Sequence, residues 1–269
     1  MPDQAQGVRL QPRKGTQRTP SRADGREQVI DARLDLLHRD SHLLVINKPA
    51  GLVCHPTKNG PLSSLVGRVR LLLGESVDQH LINRLDRETS GVTLVALDDE
   101  TAREWRKAWE RREVRKTYMA VVHGWPEMDK GSIDLPLGKD EASCVAIKDC
   151  VRADGAASKT RWSVTRRFTR LGNNYSLLEV LPLSGRKHQI RIHLSHMGHP
   201  IVGDKIYGGD EQIYLSFVEG RMTEEQRKRM VLENHALHAW RLEASILGEP
   251  KLFEAPPPAV FQEFLRSET

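Results

Sequence analysis

His80-Leu81-Ile82-Asn83-Arg84-Leu85-Asp86-Arg87-Glu88-Thr89-Ser90-Gly91 sets one carboxylate, Asp86, between two guanidinium groups and just ahead of a Thr-Ser-Gly turn. Flanking positive charge lowers a carboxyl pKa and keeps the group ionised. The turn presents Asp86 at the end of an element rather than in its middle. Taken alone, the segment reads somewhat better as an exposed ion-pair cluster, a common arrangement of little energetic value. The surrounding chain decides between the two readings.

Downstream, VTLVAL (92–97) is long enough for a buried strand. Asp98 and Asp99 then cap a helix expected to run to about Val114. Ala102, Trp105, Ala108 and Trp109 fall on one stripe of it, which marks both tryptophans as core. TYMAVVHG (117–124) returns to strand character. Upstream, residues 34–56 read as two extended runs about a polar turn, ended by Pro49-Ala50-Gly51, and SSLVGRVRLLLG (63–74) suits a helix closed by Gly74. WSVTRRF and YSLLEVLPL flank Leu171-Gly172-Asn173-Asn174, a hairpin signal. A capping box at Thr223 and Gln226 opens a late charged helix, and HALHAWRLEASI (235–246) closes the core as a strand. Strands outnumber helices and interleave with them irregularly. The fold class is α+β, with a mixed, mostly antiparallel central sheet and flanking helices.

The 41 basic and 36 acidic residues leave a net charge of +5. Residues 1–26 hold six arginines and lysines against two aspartates. Residues 1–30 are therefore expected to be a basic, disordered arm, with one folded domain over 31–269. SKTRWSVTRRFTR (158–170) adds five bases and no acid, a patch suited to phosphates. Without an apolar run of about 20 residues or a signal-peptide core, the expectation is a cytoplasmic monomer with no membrane partner. Cys54, Cys144 and Cys150 lack paired spacing and are expected to be buried, reduced thiols.

Gly185-Arg186-Lys187-His188-Gln189-Ile190-Arg191-Ile192-His193-Leu194 is a second polar run between apolar ones. If extended, it alternates Arg186, His188 and Ile190 with Lys187, Gln189 and Arg191 across its faces. Arg191 is suited to a bidentate grip on a carboxylate. His188, His193, His196 and His199 invite a zinc reading. Gly198 and Pro200 end any helix there, no HExxH is present and no cysteine is close, so no metal site is expected.

Taken together, VINKPAGLVCHP, NRLDRETSG, VRKTYMAVVHG, SKTRWSV, LSGRKHQIRIHLSHMGHPIVGDKIYG and HALHAWRLE resemble, in order, the motifs of the RluA-type pseudouridine synthase family. The resemblance runs from about Leu36 to Leu247. Asn83 stands where the family usually has His, and the short arm is expected not to be the S4-type RNA-binding domain of many members. The resemblance implies a pseudouridine-synthase fold with a catalytic cleft. It implies Asp86 as the catalytic carboxylate, Arg191 as its partner and Tyr118 against the uracil face. Arg84, Lys116, Arg186 and His188 would bind RNA, ribosomal or transfer, around a flipped uridine. The reaction involves no net oxidation or reduction, so no cofactor is expected. Two rivals stand beside this reading. One is a catalytically silent RNA-binding protein or chaperone. The other is a glycoside hydrolase pairing Asp86 with Glu88, against which count the 5% aromatic content and the expectation that Glu88 points into solvent.

Overall fold

Short apolar runs bounded by turn residues dictate strands, and the computed structural model, which describes residues 34–74 and 77–266, assembles them into one large sheet. In chain order the elements are β1 (Asp35–Arg39), β2 (Leu43–Lys48), α1 (Leu65–Leu73), β3 (His80–Leu81), β4 (Ser90–Ala96) and α2 (Asp99–Glu110). Then come β5 (Arg115–His123), β6 (Lys130–Asp134), β7 (Leu137–Lys139), β8 (Asp149–Val151), β9 (Lys159–Arg170) and β10 (Asn173–Pro182). The chain ends with α3 (Gln189–His196), α4 (Glu211–Val218), α5 (Glu224–Met230), β11 (Leu237–Ile246), β12 (Glu249–Glu254) and α6 (Ala259–Leu265). The sequence-based arm, residues 1–30, lies outside the described residues.

The sheet order is β1-β2-β4-β11-β5-β10-β9-β6, with β3 added on β4 and β12 on β11, while β7 and β8 pair separately. Among the pairs of named strands described, only β4 and β11 run parallel. This matches the mixed, mostly antiparallel α+β sheet expected from the sequence. The β9–β10 hairpin turns through Leu171 and Gly172, both in left-handed backbone. α1 starts where the Ser64 side chain accepts from the Gly67 amide, α2 where Asp98 accepts from Thr101, and α5 on the expected capping box. Ala120, Val122, Leu178, Val180, Leu194 and Ile201 form one buried cluster around β5, β10 and α3. Leu43, Val45, Val92, Leu94 and Trp105 form another under α2.

Three expectations need correction. α2 stops at Glu110 rather than near Val114, because Arg112 turns into left-handed backbone (φ 60°) and redirects the chain into β5. Trp105 is core, but Trp109 is only half-buried and lines a cleft, one turn further along the same stripe. Of the cysteines, Cys54 is buried, whereas Cys144 is exposed and Cys150 intermediate.

The run 185–194 is not extended; α3 begins within it. Gln189 and His193, four residues apart on one face, both bond the Thr160 hydroxyl of β9, at 3.0 and 2.8 Å. Tertiary hydrogen bonding to a helical face thus overrides an ambiguous local pattern.

Gly91 marks where β4 meets β11. Its φ is +114°, and a Cβ there would lie 2.2 Å from the Ala239 carbonyl oxygen. Gly91→Ala should therefore destabilise the protein by roughly 2–5 kcal/mol, combining backbone strain with overpacking. Urea unfolding measures this, and a loss below about 0.5 kcal/mol would show the two strands free to separate.

Candidate active site

The loop between β3 and β4, residues 82–89, is held from beneath by a buried lysine. Lys48, at the end of β2, is fully buried and donates to the carbonyls of Pro49 (2.9 Å), Leu52 (2.8 Å) and Arg87 (3.1 Å). Burial pushes its pKa down to about 8 against the opposing pull of Cys54 and Asp86. The loop is also held from the side. Glu88 accepts from Lys205 at 2.8 Å, Thr89 bonds His235 at 2.8 Å, and Ser90 bonds His238 at 2.8 Å. Glu88 therefore does not point into solvent as expected. It is tied to Lys205 and to the segment leading into β11, outside the cleft lining. Asn83 occupies both its amide groups on β4, donating to the Val92 carbonyl and accepting from the Leu94 amide.

Arg191, on the buried face of α3, meets Asp86 across 105 positions of sequence: Nη1 donates to Asp86 Oδ2 at 2.9 Å. Its bidentate grip falls on another residue. Nε and Nη2 donate to the two oxygens of Asp204, at 2.7 and 2.8 Å. Asp204 is completely buried and also accepts from the Ile206 and Tyr207 amides, each at 3.0 Å. Burial raises both carboxyl pKa values, but the Arg191 charge, its hydrogen bonds and the neighbouring donors together outweigh it, so both lie below the ordinary value of 3.8. The same two carboxylates outweigh burial of Arg191 and raise its pKa. Asp86 is thus an anion with one charged donor, 30% exposed beside a cleft.

That cleft has a volume of about 720 Å³. All seven residues singled out from the sequence line it: Asp86, Tyr118 and Arg191, with Arg84, Lys116, Arg186 and His188. Tyr118 projects from the middle of β5, between Ala239 of β11 and Val180 of β10, and its hydroxyl has no partner among the described residues. Burial, aided by Asp86, pushes that hydroxyl's pKa up. Lys116 lies two residues before it, its ammonium 5.4 Å from the Trp109 ring centroid, and burial lowers its pKa. Arg84 is exposed and has no partner among the described residues. Arg186 donates to the Ala157 carbonyl at 3.2 Å.

The 158–170 cluster is placed differently from expectation. Lys159 pairs with Asp134, and Arg167 pairs with Asp129. Arg166 and Arg170 cap the carbonyl end of α6. Only Arg161 of the five lacks a partner among the described residues. The histidines weighed for zinc are also separated: His193 bonds Thr160 and Ser158, and His199 bonds the His123 carbonyl. Among the described residues no cluster of three or more His, Cys, Asp or Glu is arranged for a metal, and no helix is long and apolar enough to span a membrane.

Sequence reasoning missed Asp204, Lys48, Tyr207 and His235. A signal existed for the first: an acid set among Ile201, Val202, Ile206 and Tyr207 needs a buried cation.

Asp204→Asn should cost roughly 3–5 kcal/mol, because it removes one charge from a buried array. The sign with pH is set by the lowered carboxyls. The unfolded chain binds more protons near pH 3.8, so folded stability falls as pH falls through that value. Urea unfolding between about pH 5 and about pH 3 should show a shallower acid loss in Asp204→Asn than in the unchanged protein. Equal acid slopes would detach Asp204 from the clamp.

Comparison with known proteins adds an independent line. Residues 42–196 match the model of the RNA pseudouridylate synthase family. An uncharacterized RNA pseudouridine synthase of Chloroflexus aurantiacus is 35% identical over 227 residues, which are 82% of this chain and 65% of that protein. The chain thus spans less than two thirds of that relative's length. The dual-specificity RNA pseudouridine synthase RluA of Pasteurella multocida is 38% identical over 188 residues, covering 69% of this chain and 82% of its own. Among solved structures, human RNA pseudouridylate synthase domain containing 4 superposes with a TM-score of 0.65 at 27% identity, over 86% of this chain and 91% of that one. With the family model spanning more than half of its length, Asp86 and Arg191 included, and the Pasteurella relative 38% identical, the chain belongs to the RNA pseudouridylate synthase family, in its RluA-type branch.

Proposed function

We propose that this protein isomerises uridine to pseudouridine in structured RNA, ribosomal or transfer, with Asp86 as the carboxylate that works at C1′ of a flipped nucleotide. The observation that carries this reading is the ionised Asp86 side chain, held by Arg191 on one oxygen and open to a cleft beside Tyr118. The reaction breaks N1–C1′, turns the uracil and forms C5–C1′. The C5 proton leaves, N1 gains one, and no oxidant or reductant enters. A fixed anion at C1′ can act as a nucleophile or stabilise positive charge there.

The cleft volume falls within the roughly 300–1,000 Å³ of small-ligand sites, suited to one everted nucleotide. Tyr118 packs against the uracil face, a contact of roughly 1–3 kcal/mol. Unpartnered Arg84 enters the gap the base leaves or holds a phosphate. Lys116 and Arg186 hold the backbone. The hydrolase alternative fares worse, since Glu88 is committed to Lys205 and cannot serve as a second carboxylate in the cleft. We further assign the 31–269 segment as the catalytic domain, acting as a cytoplasmic monomer, and the basic arm at 1–30 as an accessory contact for phosphates.

Tritium release from RNA labelled at uridine C5 tests the assignment. Asp86→Asn should lower release by at least ~10³-fold while keeping RNA affinity within a few-fold, as for loss of a covalent or charge-stabilising group. Residual turnover above about a tenth of the original would remove Asp86 from the chemistry. RNA binding with no release from the unchanged protein would favour the silent-binder alternative. Deleting residues 1–26 should flatten the dependence of RNA affinity on salt, since each lost phosphate contact lowers the log–log slope by about 0.9. An unchanged slope would mark the arm as uninvolved.

A further inference from the structure

His188 occupies the residue before α3 with φ 55° and ψ 14°, a left-handed conformation. A non-glycine residue there carries strain of about 1–3 kcal/mol and persists where its surroundings hold it. Here Tyr207 holds it: the imidazole Nδ1 lies 2.9 Å from the Tyr207 hydroxyl, and the two rings meet edge-on at 5.6 Å.

The hydroxyl favours one placement of the imidazole hydrogen. Tyr207 Oη accepts the Asp149 amide N–H at 3.2 Å, so its own single proton is free to point at His188. Nδ1 is then the acceptor, and the ring hydrogen sits on Nε2. The ring stays neutral because burial and the Arg191 and Lys187 charges push its pKa down to about 4, against the opposing pull of Asp86 and Asp204. Nε2 stands 3.8 Å from Asp86 Oδ2, too far for a hydrogen bond, and has no other partner among the described residues. His188 lines the cleft, so this N–H is a donor beside the carboxylate with no acceptor among the described residues.

When N1–C1′ breaks, the base leaves with the bonding pair, and the negative charge spreads onto the oxygen attached next to N1. The ribose 2′-hydroxyl gains no such charge. We propose that the His188 Nε2–H donates a hydrogen bond to the uracil 2-oxygen and stabilises the departing base, with Tyr207 as the positioning residue that fixes the required tautomer. This rests on the reading of Asp86 as the group at C1′. No proton is transferred by His188 in this step. A neutral imidazole is suited to the task, because it donates without adding a second cation that would pair with Asp86.

Two kinds of measurement test it. Long-range proton–nitrogen spectra of ¹⁵N-histidine-labelled protein, with the His188 signals identified by their loss in His188→Phe, should show an unprotonated Nδ1 and a protonated Nε2 throughout about pH 6–8. Tyr207→Phe should mix the two tautomers. Single-turnover rates at saturating RNA should fall ~10²–10³-fold in His188→Phe, as for loss of one donor to a developing anion, with RNA affinity within about 3-fold. His188→Gln, whose amide can reach the same place, should recover at least about a tenth of the original rate. RNA carrying 2-thiouridine at the target, whose sulfur is a weak acceptor, should slow the unchanged protein but leave His188→Phe nearly as it was. A hydrogen on Nδ1, an undiminished rate in folded His188→Phe, or an equal 2-thiouridine penalty in both proteins would overturn the proposal. If His188→Phe does not fold, the tautomer of the unchanged protein and the 2-thiouridine penalty in Tyr207→Phe decide it; that penalty should be smaller than in the unchanged protein. Absence of tritium release from the unchanged protein would instead remove the uridine reading, and the spectra would still report the tautomer.

Discussion

Arg191 shares one guanidinium between two carboxylates, and the unequal sharing is the constraint on which the site is built. Asp204 takes two of its N–H groups and two backbone amides as well, so its oxygens are saturated and fully buried. Asp86 receives one donor on one oxygen. Were Asp204 absent, the planar fork of Arg191 would be free to face Asp86 with both nitrogens and cover the oxygens that must remain available. Asp204 thus orients the arginine edge-on, and leaves Asp86 charged yet unsatisfied. A buried array of this kind is weak evidence for stability, since desolvation offsets much of its attraction. Its value lies in placing an anion with open lone pairs at the cleft.

The sheet order explains how segments far apart in sequence reach one point. The Asp86 loop enters β4, which lies beside β11; β11 lies beside β5, which carries Tyr118; and β5 lies beside β10, which leads toward α3 and Arg191. The β4–β11 contact is the parallel joint, spanning only Ser90–Gly91 against His238–Ala239. A joint that short has few ladder bonds, and side chains supplement it: Ser90 on His238, Thr89 on His235, Glu88 on Lys205. Lys48 adds carbonyl ties from below. These contacts restrain a loop whose carboxylate must not drift, although His235 Nδ1, 3.6 Å from Glu88, has no hydrogen-bond partner among the described residues.

The elements legible in the sequence were those with strong local signals. Strand runs such as VTLVAL, the Asp98 and Thr223 caps and the Gly172 turn were readable because period, cap and turn chemistry agreed. The pairing of Asp86 with Arg191 came from motif resemblance rather than from spacing, since 105 positions separate them. What local reasoning could not see was set by distant partners. Residues 185–194 alternate well enough for a strand, yet Thr160 selects the helix by bonding Gln189 and His193 together. Trp109 sits on the same stripe as Trp105, but the chain's turn at Arg112 brings Lys116 over its ring and opens it to the cleft. Lys48 reads as an ordinary surface cation until three carbonyls converge on it.

The distribution of positive charge carries the same lesson into binding. The acid-free basic run 158–170 is largely consumed by the fold, because Arg166 and Arg170 satisfy the last carbonyls of α6 while Lys159 and Arg167 hold acids on neighbouring strands and turns. A guanidinium already bonded to carbonyls has few donors left for phosphate. Arg84, by contrast, is exposed at the cleft, and its guanidinium has no partner among the described residues. Affinity for a polyanion depends on cations whose counterions can be released, so availability outweighs density. The cleft therefore keeps an uncommitted guanidinium near the carboxylate even though the acid-free 158–170 run is largely tied up elsewhere.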